Sequence, residues 1–389
     1  MNHTRTYLDH NATSPLRPEA VKAAASLGFV GNPSSIHAEG RRARALVESA
    51  RARIAAQLGA APGEVILTSG ASEANATVLR PGSLRALDGR PVERLLIGGT
   101  EHASILGGHR FPSDAVSLVR VDSLGRVDAE DLRARLSVSD VPTLVTIQIA
   151  NGETGVIQPI REIAALVHEA GAVLHADAAQ AFGRMPLDMA AIGVDAMSVS
   201  GHKLGGPAGI GALVLLAERV GPEAALLHGG GQQNGFRAGT ENVLGIAGFA
   251  AASEAALANL AQDGTRLIAL RDAAERVVRR RTPDAVVFGA GAPRLSNTLC
   301  FAVPGMKAET ALMAFDLAGI AVSSGAACSS GKVGRSHVLA AMGVPEGLAS
   351  GAIRLSFGWT SKQQDVERFE EAFASVLQRL YDRRPSAAA

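Results

Sequence analysis

The hydrophobic residues of this chain fall into short unbroken runs, the pattern of strands covered on both faces. Such runs occupy 64–68, 94–97, 143–149, 172–176, 196–199 and 211–216. Between them lie stretches with apolar residues at helical spacing. Ile160–Glu169 precedes the run at 172, and Ala38–Leu58 is an Arg- and Ala-rich segment whose charges form a solvated face. Strand and helix alternate, which predicts an α/β fold, a mainly parallel sheet flanked by helices on both faces. Helix-forming composition returns over 241–281. A strand-like run at Thr298–Ala302, a Gly/Ser-rich loop around Cys328, a last strand at 352–356 and a final helix over 362–380 follow. This second part reads as a smaller α+β domain, with a frayed PSAAA tail.

Composition narrows the class. A chain of 389 residues is long for one core and predicts two domains. With 47% hydrophobic and 19% charged residues it is not a largely disordered chain. A net charge of +1 offers no basic excess for a nucleic-acid partner. No apolar run reaches the roughly 18 residues of a membrane span. The N-terminus MNHTRTYLDHNATSP lacks the basic and apolar segments of a secretory signal. Two cysteines, Cys300 and Cys328, are too few for a disulfide framework. The expectation is a cytoplasmic enzyme.

Lysine is scarce: only Lys22, Lys203, Lys307, Lys332 and Lys362 stand among 38 cationic residues. Lys203 sits in Ser200-Gly201-His202-Lys203-Leu204-Gly205-Gly206, directly after a buried run. There it is either a desolvated amine able to form a Schiff base or an ordinary loop lysine reaching water. No P-loop pattern surrounds it. The preceding run ends in His175-Ala176-Asp177-Ala178-Ala179-Gln180, so parallel strands would bring Asp177 and Lys203 to one sheet edge. Asp177 could pair with a pyridine nitrogen or cap the next helix. Thr68-Ser69-Gly70-Ala71-Ser72-Glu73 follows a strand and opens a helix, a phosphate cradle or a simple N-cap. His102, after Glu101, puts an imidazole at the same edge. Cys300 reads as an inert strand residue. Cys328, in a loop of small residues with Lys332 nearby, is a plausible nucleophile, and no second Cys or His stands at metal-ligand spacing. Arg354 in the last strand is a clamp for a carboxylate or half of a surface ion pair.

Taken together, these segments resemble the cysteine desulfurases of the NifS and IscS type, within the class V, fold-type I enzymes dependent on pyridoxal 5'-phosphate (PLP). The matching motifs run in order from Tyr7-Leu8-Asp9 to Arg354. They include Asn11-Ala12-Thr13, Gly31-Asn32-Pro33-Ser34-Ser35, the Thr68–Glu73 turn, Glu153-Thr154-Gly155, Ser200-Gly201-His202-Lys203, Arg237-Ala238-Gly239-Thr240 and the Cys328 loop. The resemblance implies a large PLP-binding domain at 15–261, and a small domain at 1–14 and 262–389 carrying the catalytic cysteine. It implies that Lys203 binds PLP through a Schiff base and moves the substrate α-proton. By the same resemblance Asp177 pairs with the pyridine nitrogen, His102 stacks on the ring and Gln180 lies near the phenolic oxygen. Ala71, Ser72, Ser200 and His202 hold the phosphate, and Thr240 reaches the phosphate of a neighbouring subunit in a homodimer. Arg354 clamps the L-cysteine carboxylate, and Cys328 takes the sulfur as a persulfide, releasing L-alanine. The persulfide would supply an iron–sulfur scaffold protein. No intrinsic metal is implied, although Cys328 would transiently ligate a cluster during transfer.

One position departs from the resemblance. Where the family has Asn-Asn, this chain has Asn151-Gly152, so the side chain usually assigned to the cofactor's phenolic oxygen is missing. Asn151 is then a candidate for cofactor and substrate contacts, a water another, and loss of the contact a third. His10 stands where an aromatic residue or Asn is usual. The competing activity is a PLP-dependent aminotransferase or lyase on another small amino acid, selenocysteine included, which would have no use for a loop thiol.

Overall fold

The computed structural model describes residues 5–324 and 335–381. Seven strands form the larger sheet: β2 (Val65–Thr68), β3 (Arg94–Gly98), β4 (Val116–Val119), β5 (Thr143–Gln148), β6 (Val173–Asp177), β7 (Ala196–Ser200) and β8 (Gly211–Leu215). Their spatial order is β2-β8-β7-β6-β5-β3-β4, and only β8 runs against its neighbours. The unbroken apolar runs are explained by where alternate residues go. Leu67, Leu96, Val145, Leu174, Met197 and Val214 face one core with the helices Ala38–Leu58, Ile160–Glu169 and Val243–Ala258. Ile66, Leu95, Leu144, Val173, Ala196 and Leu213 face another core with the helix Ala71–Val78. Both faces are dry, so no polar alternation survives in sequence.

All six strands expected for this sheet are displaced by one residue, at one end or at both, from the boundary read in sequence. β4 is an addition: its Val-Ser-Leu-Val run is an edge strand with Leu118 52% exposed, so little hydrophobic signal marks it. The helical stretch expected over 241–281 is two helices, Val243–Ala258 and Leu260–Arg281, bent by 71° at Asn259. Among the described residues no single helix is long and apolar enough to cross a membrane.

The second layer contains β9 (Val286–Val287), β10 (Thr298–Ala302), β12 (Ser323–Ser324) and β13 (Ile353–Ser356), antiparallel in the order β12-β13-β10-β9. The N-terminal strand β1 (Thr6–Tyr7) pairs with β11 (Ile320–Ala321), and Asp9 bridges to Ser356. Leu8 is fully buried in the core of this layer, which is filled from Leu260–Arg281, Ala308–Leu317 and Gln363–Tyr381. At its centre Phe369 contacts the rings of Phe301, Phe315 and Phe373, with centroids 6.5, 5.9 and 5.5 Å away.

Every strand of the larger sheet except β8 points its carboxyl end to one edge. Thr68, Gly98, Gln148, Asp177 and Ser200 therefore end side by side, where ligands of such sheets bind. Truncating Phe369 to Ala should empty the centre of the second core at a cost of about 3–5 kcal/mol, read as a lowered urea midpoint with an unchanged slope.

Candidate active site

The edge opens into a cavity of about 670 Å³. The turns after β2, β3, β5, β6 and β7, the N-terminal segment and β13 each contribute to its wall. The structure thus brings together Ala71, Ser72, His102, Asn151, Asp177, Gln180, Ser200, His202, Lys203 and Arg354. Thr240 is exposed and lies outside this wall. Cys328 lies outside the described residues, as does Lys332.

Lys203 Nζ donates to the backbone carbonyls of Asn11 (2.6 Å) and Ala12 (2.9 Å). A half-buried ammonium between two carbonyls is not an ordinary loop lysine reaching water. Asp177 does not cap a helix, because a turn follows it. Its Oδ1 accepts the Ala179 N–H and its Oδ2 accepts the side-chain amide of Asn75, both at 2.9 Å. The same Asn75 amide donates to Ser104 Oγ at 3.0 Å, and Ser104 Oγ lies 2.8 Å from His102 Nδ1. His102 Nδ1 also accepts the Ser104 N–H, which leaves Nε2 as the protonated nitrogen of the neutral ring. Acid and imidazole are thereby oriented by one hydrogen-bonded chain.

Ser72 lies in the first turn of the helix Ala71–Val78, whose N-cap is Gly70 and not Ser72. N–H groups of that turn have no partner within the helix and suit an anion. Glu73 accepts the Ser69 N–H and pairs with Arg237, which fixes the turn from behind. His202 shares a hydrogen bond with Thr13; burial, with help from the Lys203 and Arg184 charges, lowers its pKa to about 4. It is a neutral ring at physiological pH.

Arg354 is 5% exposed, so it is not part of a surface ion pair. Its guanidinium is held by Asp9 Oδ1 (2.7 Å) and by the carbonyl of Gly152 (3.0 Å). Asn151, a candidate for ligand contacts, is mostly occupied by its own turn. Its Oδ1 accepts the N–H groups of Glu153 and Thr154, and its Nδ2 donates to the Thr100 carbonyl. Gly152 presents only backbone, and its carbonyl also receives Asn11 Nδ2 (3.0 Å). Cys300 is fully buried in β10, and burial raises its thiol well above the ordinary range, in keeping with an inert residue.

Sequence reasoning missed the supports. Asn75 is fully buried on the inward face of a short helix, and Asn11 is 1% exposed with every polar atom engaged. An amide on an otherwise apolar helix face, Ala74-Asn75-Val78, was the available signal for Asn75. Two buried acids also line the wall. Glu101 is raised well above its ordinary value by burial, and Glu153 to about 7 by burial that Ser336 and Arg354 only partly offset.

The family model for class-V aminotransferases matches residues 6–369. A cysteine desulfurase of Cereibacter sphaeroides is 42% identical over 387 residues, covering 97% of this chain and 96% of that protein. An IscS-like cysteine desulfurase of Mycobacterium tuberculosis is 39% identical over 380 residues, covering 96% of each. The crystal structure of a NifS-like protein from Rickettsia africae superposes with a TM-score of 0.87 at 34% identity, over 96% of this chain and 99% of that one.

Glu153 holds its proton more tightly in the folded protein than at its ordinary value of 4.5. Its favourable linkage is complete below pH 4.5 and is lost as pH rises toward about 7, a fall of roughly 3 kcal/mol. Glu153→Gln should remove this part of the slope, while the part due to Glu101 remains. Urea unfolding of both proteins across that window is the test, and identical slopes would refute the assignment.

Proposed function

This chain belongs to the class-V aminotransferase family, and we propose that it is a cysteine desulfurase that converts L-cysteine to L-alanine and keeps the sulfur as a persulfide on Cys328. The observation that carries this reading is the convergence on one cavity of Lys203, Asp177 and His102, from the carboxyl ends of three strands of the larger sheet, with Arg354 from within β13. That donor set suits PLP: an amine, a carboxylate held at both oxygens, an imidazole, and helix N–H groups with Ser72 for a phosphate. Lys203, Asp177, His102, Gln180, Ala71, Ser72, Ser200 and His202 would hold it, and Thr240 would serve the phosphate of a second subunit. When bound, PLP supplies an electron-withdrawing ring that stabilises negative charge at the substrate α-carbon.

The chain's own residues supply the rest. Arg354 binds the substrate carboxylate with an orientation set by Asp9 and the Gly152 carbonyl. Lys203 Nζ moves the proton at the substrate α-carbon. The Cys328 thiolate attacks the substrate sulfur, and the carbon–sulfur bond breaks with its electron pair staying on carbon, which is protonated to give alanine. Sulfur is left on Cys328, so substrate and product balance without an external oxidant. The persulfide would pass to an iron–sulfur scaffold protein, and the enzyme would work as a cytoplasmic homodimer. We assign 15–261 to the large domain and 1–14 with 262–389 to the small one. The pairing of β1 with β11 and the helix break at Asn259 support that division.

With PLP and a reductant, the wild-type protein should release alanine and sulfide from L-cysteine. Cys328→Ala should retain the visible absorption of the bound cofactor but lose sulfur release, whereas Lys203→Ala should lose that absorption. Equal release from the wild type and Cys328→Ala would overturn the thiol mechanism and turn attention to an aminotransferase or lyase.

A further inference from the structure

Behind the cavity stands a cation to which no role has yet been given. Arg184 follows the Gln180 turn, and no carboxylate lies within ion-pair distance of it among the described residues. Both terminal nitrogens are engaged all the same. Nη1 donates to Asn11 Oδ1 (2.8 Å) and to Gln180 Oε1, while Nη2 donates to the carbonyls of His10 and Lys203 (both 2.9 Å). This one guanidinium therefore touches the backbone of Lys203, the side chain of Gln180 and the buried amide of Asn11.

The contact with Gln180 decides which way that amide points. A guanidinium has only donors, so the Gln180 atom it meets must be the oxygen. The nitrogen is then the other terminal atom, and it donates to the Asn11 carbonyl at 3.0 Å. Both partners agree on one orientation, since a flipped amide would set donor against donor and acceptor against acceptor. Nε2 carries a second hydrogen, and its location matters. It lies 2.9 Å from the point a Cβ on residue 152 would occupy. The Gln180 amide thus fills the space left by the missing side chain at Gly152.

We propose that Arg184 is a positioning residue that locks the Gln180 amide with its nitrogen over Gly152, so that the Gln180 N–H expected at the cofactor's phenolic oxygen is held in place where residue 152 adds no side chain. The proposal rests on the reading of the site as a PLP site. It accounts for a cation with no counter-ion in a protein interior, where a guanidinium is otherwise costly. A side chain at 152 would require the Gln180 amide to shift.

An N–H donor and a nearby positive charge both favour the deprotonated state of what they face. Losing them should let the protonated form of the bound cofactor persist to higher pH. In PLP-loaded protein, the pH midpoint of the visible absorption band should rise by roughly one unit in Arg184→Met. Arg184→Lys keeps the charge but cannot reach four acceptors at once, so it too should raise the midpoint, and it covers the case in which Arg184→Met fails to fold. Gln180→Leu should raise the midpoint, and adding Arg184→Met to it should raise it by less than Arg184→Met does alone, because only the contribution of the charge then remains to be lost. Wild-type midpoints in both Arg184 variants, or shifts that simply add in the double variant, would overturn the proposal while leaving the PLP site intact. A wild-type protein with no visible band on PLP addition would overturn the underlying reading instead.

Discussion

The buried amide and backbone of Asn11 are the joint on which the site hangs. Its Nδ2 reaches the Gly152 carbonyl beside β5 and Thr298 of β10, its Oδ1 receives Arg184 and Asn297, and its own carbonyl receives Lys203 and Gln180. Its N–H is taken by Ser356 of β13. One residue thus ties the N-terminal segment, the edge of the larger sheet, the smaller sheet and the Lys203 amine. Buried amides of this kind hold position because every unmade hydrogen bond carries a desolvation penalty of about 1–3 kcal/mol. The geometry of the cavity wall is in this sense a by-product of polar satisfaction.

Charge is distributed with the same economy. Lys203 and Arg354 face the cavity with Arg184 behind it, while Asp9 and Asp177 are acids held by specific partners. Of the other acids in the wall, Glu73 is paired with Arg237, and Glu101 and Glu153 are pushed by burial toward their neutral forms. The cavity is therefore biased toward anions, as a site for a phosphate and an amino-acid carboxylate requires. Neutral His202 and the fixed tautomer of His102 add hydrogen-bonding capacity without adding to that charge.

Much of this was legible in the sequence because strand ends and chemistry coincide. Asp177, Lys203 and His102 each follow a buried run, and parallel pairing alone brings such positions to one edge. The helices Ala38–Leu58 and Ile160–Glu169 are readable from periodicity to their observed ends. What was not legible depends on contacts distant in sequence. β4 carries half an edge strand's worth of apolar signal, and the break at Asn259 interrupts a composition that remains helix-forming throughout. The burial of Arg354 against Asp9 joins residues 345 positions apart. The occupation of Asn151 by its own turn, and of the space above Gly152 by Gln180, likewise has no local signature.

The reversed strand β8 has a consequence for how the lysine is carried. The segment from Gly201 to Ile210 leaves β7 and returns in β8, and these two strands are neighbours joined over five residue pairs. Its two ends are further tied by the Gly201 N–H on the Ile210 carbonyl. The entropy of closing this loop is thus met when the sheet forms, and none of it falls due when a ligand arrives. The lysine rides on a short closed hairpin instead of a tether, so inserted residues there would be felt at the amine itself, whereas the long surface connections elsewhere could absorb them.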